Sequence, residues 1–166
     1  MKSISTLRIA RGGMIAALYV ALTYLSFLFG LSSGEIQLRL SEMLTVLPAF
    51  LPESIPGLYI GCIIANLLTG GSIFDILLGS LATLIGAIGA RMLRKTKKPL
   101  LIALPTVLAN AITVPFIIIL TAGGEISYAV YPYFFATVGI GEFLSAGVFG
   151  AIAYKAIEKN KILPLE

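Results

Sequence analysis

Six apolar segments, none with more than two charged residues, fill most of this chain and leave it few ways to fold. They read Met14–Leu31, Ile36–Leu51, Ile55–Thr69, Ile73–Leu93, Leu100–Thr121 and Pro132–Ile157. A helix that crosses the bilayer core needs about 20 predominantly apolar residues. Five or six such spans use most of the 166 residues and leave only short connections. No separate extramembrane domain of useful size fits in the remainder. A membrane β-barrel is excluded as well, because its strands alternate polar and apolar residues, whereas these segments run continuously apolar. Charged residues make up 12% of the chain, half the ~25% of a globular protein. The expectation is an all-α membrane protein, one integral-membrane domain over residues 1–166, with six transmembrane helices.

The residue types that are missing narrow the chemistry. There is no His, and Cys62 stands alone. A zinc site needs several His, Cys or carboxylate ligands held together, and a disulfide needs a pair. Without His, the usual nucleophile–base arrangements lose their commonest proton carrier. No G-x-x-x-x-G-K-[ST] loop occurs, so the chain has no such nucleotide site of its own. The expectation is a protein that is not an enzyme and has no catalytic residues, no metal and no cofactor. Any ATP-driven work then falls to a partner.

A net charge of +4 raises the question of nucleic acid, but in a membrane chain the placement of Lys and Arg matters more than their sum. Lys2, Arg8 and Arg11 precede the first segment. Arg91, Arg94, Lys95, Lys97 and Lys98 lie between the fourth and fifth, and Lys155, Lys159 and Lys161 close the chain. With six crossings, these eleven of the twelve basic residues fall on one side. By the positive-inside rule that side is cytoplasmic, both termini included. The loops around Glu35, Gly70–Gly71 and Glu125 then face outward. The bilayer is the expected partner, not nucleic acid, and the expected location is the plasma membrane. Met14–Leu31, at 18 residues, exceeds the 7–15 of a signal-peptide core and lacks a clear cleavage site, which favours a retained first helix. The second and third segments are short for full spans, so a hairpin re-entering from outside fits the charges equally well. Glu35–Ser41 alternates polar and apolar residues, as an extended loop does.

Charged groups at bilayer depth cost at least ~2.5–3.5 kcal/mol and normally face a cavity or a partner. Arg39 is the one basic residue outside the cytoplasmic set, and Glu42 follows three residues later. They either pair with each other on a helix or line a solute pocket near the outer surface. Asn66 and Asp75 lie toward the same side, although Asp75 also suits a helix N-terminus. Thr106, Asn110 and Thr113 form a polar stripe, of a kind that also joins helices by hydrogen bonds. Glu142 lies deep in the last segment, and Val138, Phe135 and Tyr131 share its helical face. An acid beneath the rings of Tyr131 and Phe135 suits a planar heterocycle with N–H donors. A protonated acid bonded to a neighbouring helix, or a proton relay, explains Glu142 too. The candidate binding set is therefore Arg39, Glu42, Asn66, Asp75, Asn110, Tyr131, Phe135 and Glu142. Gly13, Ala17 and Ala21 make a smooth face on the first helix that lets another helix approach closely. Gly79, Ala82, Gly86 and Gly89 make a second such face, expected to pack internally.

Three stretches carry a family resemblance: IQLRLSEMLTVLPAF (Ile36–Phe50), PGLYIGCIIANLLTGG (Pro56–Gly71) and IFDILLGSLATLIGA (Ile73–Ala87). They resemble the QueT family of queuosine-precursor transporters, which are substrate-binding S components of energy-coupling factor (ECF) transporters. The resemblance implies an ECF S-component-like bundle of six helices that captures a scarce metabolite outside the cell. It also implies docking on a transmembrane T component bound to two ATPase subunits, with toppling of the S component delivering the solute. In such S components an A-x-x-x-A face on the first helix meets the T component, and Ala17 and Ala21 match that motif, with Gly13 extending the face. The implied substrate is a 7-deazaguanine (a 7-deazapurine) such as preQ1, preQ0 or queuine. Its guanine-like edge presents adjacent N–H donors that suit a carboxylate, and nanomolar capture requires about −12 kcal/mol. Such affinity favours a covering loop, and Ser32–Ser41 is the expected lid. A stand-alone secondary transporter with Glu142 as proton relay is the alternative, although no internal repeat of the kind many such transporters show is visible. A scaffold without solute leaves the intramembrane charges without a common purpose.

Overall fold

The computed structural model describes residues 6–32, 36–123, 127–160 and 162–163. Among these residues every regular element is helical. The helices are α1 (Thr6–Leu28), α2 (Ser54–Leu68), α3 (Ser80–Met92), α4 (Pro99–Thr121), α5 (Tyr131–Glu142) and α6 (Gly150–Lys159). A 3-10 helix, Leu40–Ala49, lies between α1 and α2. A π-helical turn, Asp75–Gly79, leads into α3, and a π-helical segment, Phe143–Phe149, joins α5 to α6. The positions expected to face outward at Glu35 and Glu125, and the flanking Lys2 and Lys161, lie outside the described residues.

Four helical rods are long and apolar enough to cross a bilayer: Thr6–Leu28, Asp75–Thr96, Pro99–Thr121 and Tyr128–Lys159. The other two apolar passes, Leu40–Ala49 and Ser54–Leu68, are shorter. At a rise of ~1.5 Å per α-helical and ~2 Å per 3-10 residue they reach about 20 Å. The first helix starts earlier than its apolar run, taking in Arg8 and Arg11, and stops before Gly30, whose φ of +67° a side chain would resist.

Side-chain contacts give the direction of the passes. Gly12 meets Gly57, and Ala16 meets Gly61 one turn on, so α1 and α2 run parallel. The 3-10 helix returns between them. Ser41 at its start bonds Thr23, and Glu53 beyond its end pairs with Arg11 at 3.4 Å. The span along α1 between Arg11 and Thr23 is about 18 Å at helical rise, so the short pass runs beside most of the first helix. The stripe on the fourth segment packs internally, as expected. Gly86 sits against Thr106 and Gly89 against Pro105, so α3 and α4 lie antiparallel with backbones nearly touching.

The 3-10 helix is the hub of the bundle. It packs against α1, α2, α3, α4, α6 and the second π segment. Runs of 3-10 helix beyond three or four residues are uncommon; this one has ten residues, seven of them buried. Pro48 lies inside it, lacking a backbone donor and disfavouring α geometry at the residue before. Thr45 bends its hydroxyl back to Glu42 O at 2.7 Å. Arg91 closes the far end by donating to Pro48 O (3.2 Å) and Ala49 O (3.4 Å), where a cation also meets the negative end of the helix. Phe50 and Tyr154 pack together below it in a tilted pair, with ring centroids 4.8 Å apart and planes inclined at 45°.

Candidate functional site

At the end of the bundle opposite Arg11 and Arg91, the elements part around a cavity of about 270 Å³. That is near the lower end of the ~300–1,000 Å³ of small-molecule sites. Thr23 and Phe27 of α1 form one wall, and Val114, Ile117, Ile118 and Thr121 of α4 form another. Ser32, Gln37 and Arg39 come from the connection before the 3-10 helix; Asn66, Thr69, Gly71 and Asp75 close the remaining side. Polar side chains thus gather on the strap and the α2 end, and the α4 wall is mostly aliphatic.

The connection follows the period-two reading in part. Gln37–Arg39 has no regular structure, and Arg39 is extended at φ −109°, ψ 105°, but Leu40 and Ser41 already belong to the 3-10 helix. Leu38 N donates to Leu31 O (2.8 Å) and Leu40 N to Ser26 Oγ (2.9 Å), tying the strap to α1. Its other side presses on α5: a Cβ on Gly141 would lie 2.1 Å from Gln37 O, so only glycine lets the strap pass there. Residues 33–35 of the expected lid Ser32–Ser41 lie outside the described residues.

Arg39 and Glu42 do not form a simple pair on one helix, because Arg39 precedes the first helical residue. Its guanidinium acts electrostatically on Glu42, Glu142 and the Tyr19 hydroxyl together. Glu42 and Glu142 are 1% and 5% exposed. Tyr19 donates its hydroxyl hydrogen to Glu42 Oε1. Asn110, also buried, interacts with both carboxyls. Residues far apart in sequence, Arg39, Glu42, Asn110 and Glu142, therefore form one buried polar centre, of which Arg39 also lines the cavity. One oxygen of each acid, Glu42 Oε2 and Glu142 Oε2, is buried with no hydrogen-bond partner among the described residues.

Asn66 and Asp75 sit at the cavity mouth and also hold the local fold. Asp75 Oδ2 accepts from Ser72 N (2.9 Å) and Ser72 Oγ (2.7 Å), while Asp75 N donates to Ser72 Oγ at 3.1 Å. That reciprocal pair is a capping box, the helix-terminus role the sequence also admitted. Asn66 Nδ2 donates to Asp75 O at 2.9 Å, pinning the π turn to the end of α2.

Tyr131 and Phe135 are not gathered with these groups. The Tyr131 hydroxyl donates to Ile112 O (2.8 Å), Phe135 is 39% exposed, and neither lines the cavity. They do share the helical face of Glu142, but no residue from Tyr128 to Thr137 is buried. That end of α5 stands clear of the core, and only from Val138 onward does the face turn inward.

Three polar residues of the centre escape a reading that searches for charges. Tyr19, Thr23 and Ser26 lie at i, i+4 and i+7 on α1 and are all buried. Thr23 donates to Tyr19 O (2.9 Å) and lies 2.8 Å from Ser41 Oγ; Ser26 donates to Leu22 O at 2.9 Å. Their helical spacing was the available signal. Gly13, Ala17 and Ala21 lie on the other side of α1, and all three are exposed.

These features define a multi-pass helical membrane protein built around a buried, partly unsatisfied polar centre that adjoins a small cavity. Its relatives are specific. The family described as QueT transporter matches residues 9–159, and the chain belongs to it. The Queuosine precursor transporter QueT of Lactococcus lactis subsp. cremoris (strain MG1363) is 40% identical over 85 residues, which cover 51% of this chain and 50% of that protein. The chain thus spans about half the length of the curated relative it matches. No solved structure matches it significantly.

Proposed function

We propose that this chain binds a queuosine precursor of the 7-deazaguanine class and carries it across the plasma membrane as the S component of an ECF transporter. Membership of the QueT transporter family supports the solute class, and the name of the Lactococcus lactis relative agrees. The observation that carries the reading is the convergence of Arg39, Glu42, Asn110 and Glu142, with Arg39 lining a cavity that Asn66 and Asp75 also border. A guanine-like ring offers neighbouring N–H donors to a carboxylate and a carbonyl to a guanidinium. In this reading the six passes all cross, with the basic end cytoplasmic, and the cavity opens outward.

The energy for uptake comes from a T component and two ATPase subunits. Support comes from the exposed small-residue face Gly13–Ala17–Ala21, which offers a close-packing surface to a partner helix. Uptake of labelled 7-deazaguanine by cells expressing the chain with and without those subunits is the test. Uptake is expected only with them. Robust proton-driven uptake by the chain alone would make it a secondary transporter instead.

A further inference from the structure

We propose that the trough between α1 and α2 at the basic end of the bundle binds one anionic phospholipid, with an acyl chain along the trough and the phosphate at its mouth beside Arg8. The trough is separate from the cavity beside Arg39, and its failure as a lipid site would leave the solute reading untouched.

Shape is the first support. The two helices run parallel, and each turns a stripe toward the other: Ile9, Gly13 and Ala16 on α1, Glu53, Pro56 and Ile60 around the start of α2. Between the stripes lies a trough of about 550 Å³. It runs for about 10 Å at helical rise, two turns of each helix. Its floor is the backbone contact itself, where a Cβ on Gly57 would lie 2.5 Å from Gly12 O. Along its rim a Cβ added to Gly13 would meet nothing within 4 Å. In water such a trough would fill with solvent. Within a membrane span it needs an apolar filler, because an empty one forfeits the dispersion contacts of its lining. An acyl chain is apolar, flexible and present wherever the protein is.

Charge at the mouth selects among lipids. Arg8 and Glu53 both line the trough there, and Glu53 is paired with Arg11 at 3.4 Å. Two guanidiniums thus meet one carboxylate at this end among the described residues, and α2 begins there with the positive end of its dipole. A phosphate takes charge-assisted hydrogen bonds from a guanidinium, and basic pockets between membrane helices suit anionic headgroups. A partner's helix laid in the trough would have to supply an acid of its own at the Arg8 end. An anionic phospholipid brings the tail and the charge in one molecule.

The full chain in mild detergent is tested by native mass spectrometry with phosphatidylglycerol and with phosphatidylcholine of the same acyl chains. One phosphatidylglycerol per chain is expected to bind at least about fivefold, ~1 kcal/mol, more tightly than phosphatidylcholine. Equal binding of the two overturns the proposal. Arg8→Gln is expected to bring the ratio toward one. Gly13→Leu places a side chain where a Cβ has open space, and it is expected to weaken both lipids by occupying the trough. A ratio that survives Arg8→Gln, or binding that survives Gly13→Leu, puts the lipid elsewhere and overturns the proposal. In the unaltered protein, phosphatidylglycerol carrying a diazirine on one acyl chain is expected to label Ile9, Pro56 or Ile60, so the test does not depend on a variant that folds. Labelling confined to other faces overturns the proposal. A trough that holds no lipid, but whose Gly13→Leu variant no longer assembles with the T component, belongs to a partner's helix, which overturns it too.

Discussion

The two sides of α1 are built from similarly small side chains and do opposite things. At 100° per residue, Gly13, Ala17 and Ala21 point about 150° away from Tyr19, Thr23 and Ser26. On the inner side, Gly12 and Ala16 bring α1 against Gly57 and Gly61 of α2 with backbones in contact, and Tyr19, Thr23 and Ser26 anchor the 3-10 helix. On the outer side, a Cβ added to Gly13 meets nothing within 4 Å, and Ala17 and Ala21 are exposed. In lipid there is no hydrophobic drive to join helices, so small residues are useful where backbones must approach closely. The inner stripe has its partner within this chain. The outer stripe has the same chemistry and none among the described residues. Composition alone does not separate a packing face from a docking face; the polar residues interleaved with the inner stripe do.

The largest expected difference between the faces is steric. At Gly57 a Cβ would lie 2.5 Å from Gly12 O and 3.3 Å from Gly12 C and Cα, all backbone atoms that have no rotamer to change. Gly57→Val is expected to destabilise the bundle by about 1–3 kcal/mol through overpacking. Thermal unfolding in detergent reads this as a lowered midpoint. Gly13→Val, with open space around it, is expected to leave that midpoint in place. Equal midpoints for the two variants would abolish the distinction between inner and outer stripe.

A comparable effect, electrostatic instead of steric, is expected from the polar part of the inner face. Tyr19→Phe keeps the ring in the core and removes only the donor to Glu42 Oε1. The Glu42 carboxyl then loses its tyrosine hydrogen bond while remaining buried, a loss of about 1–3 kcal/mol. Unfolding should show this destabilisation, and 7-deazaguanine binding should weaken with it because Glu42 loses its orientation. A variant with unaltered stability and unaltered affinity would remove Tyr19 from the polar centre.

The same contrast explains which parts of the molecule could be read beforehand. Arg39, Glu42, Asn110 and Glu142 stood out because each is costly at bilayer depth, and the fold brings all four together. Tyr19, Thr23 and Ser26 carry no such signal, since each is ordinary in a membrane helix, and only the path of the strap shows that they hold it. The helical passes followed from continuous apolarity. The 3-10 geometry of Leu40–Ala49 and the two π segments did not, because they arise where Pro48, Asp75 and Glu142 meet tertiary contacts, and hydropathy carries no record of these. Tyr131 and Phe135 share the face of Glu142 by periodicity, but a helical face says nothing about how far along the helix the neighbours extend.

The smallest effect on stability, and the sharpest on function, is expected at Ala17. The residue is exposed, so Ala17→Leu should leave thermal unfolding and 7-deazaguanine binding as they were. If the outer stripe is the surface that meets the T component, the three heavy atoms that leucine adds cannot be accommodated where two helices touch backbone to backbone. Co-purification with the T component and ATPase subunits should then fail, and uptake should cease while binding persists. An intact complex containing Ala17→Leu would move the docking surface off this stripe. The outer residues would then be small for no partner's sake, and only the inner face of α1 would retain a structural reason for its sequence.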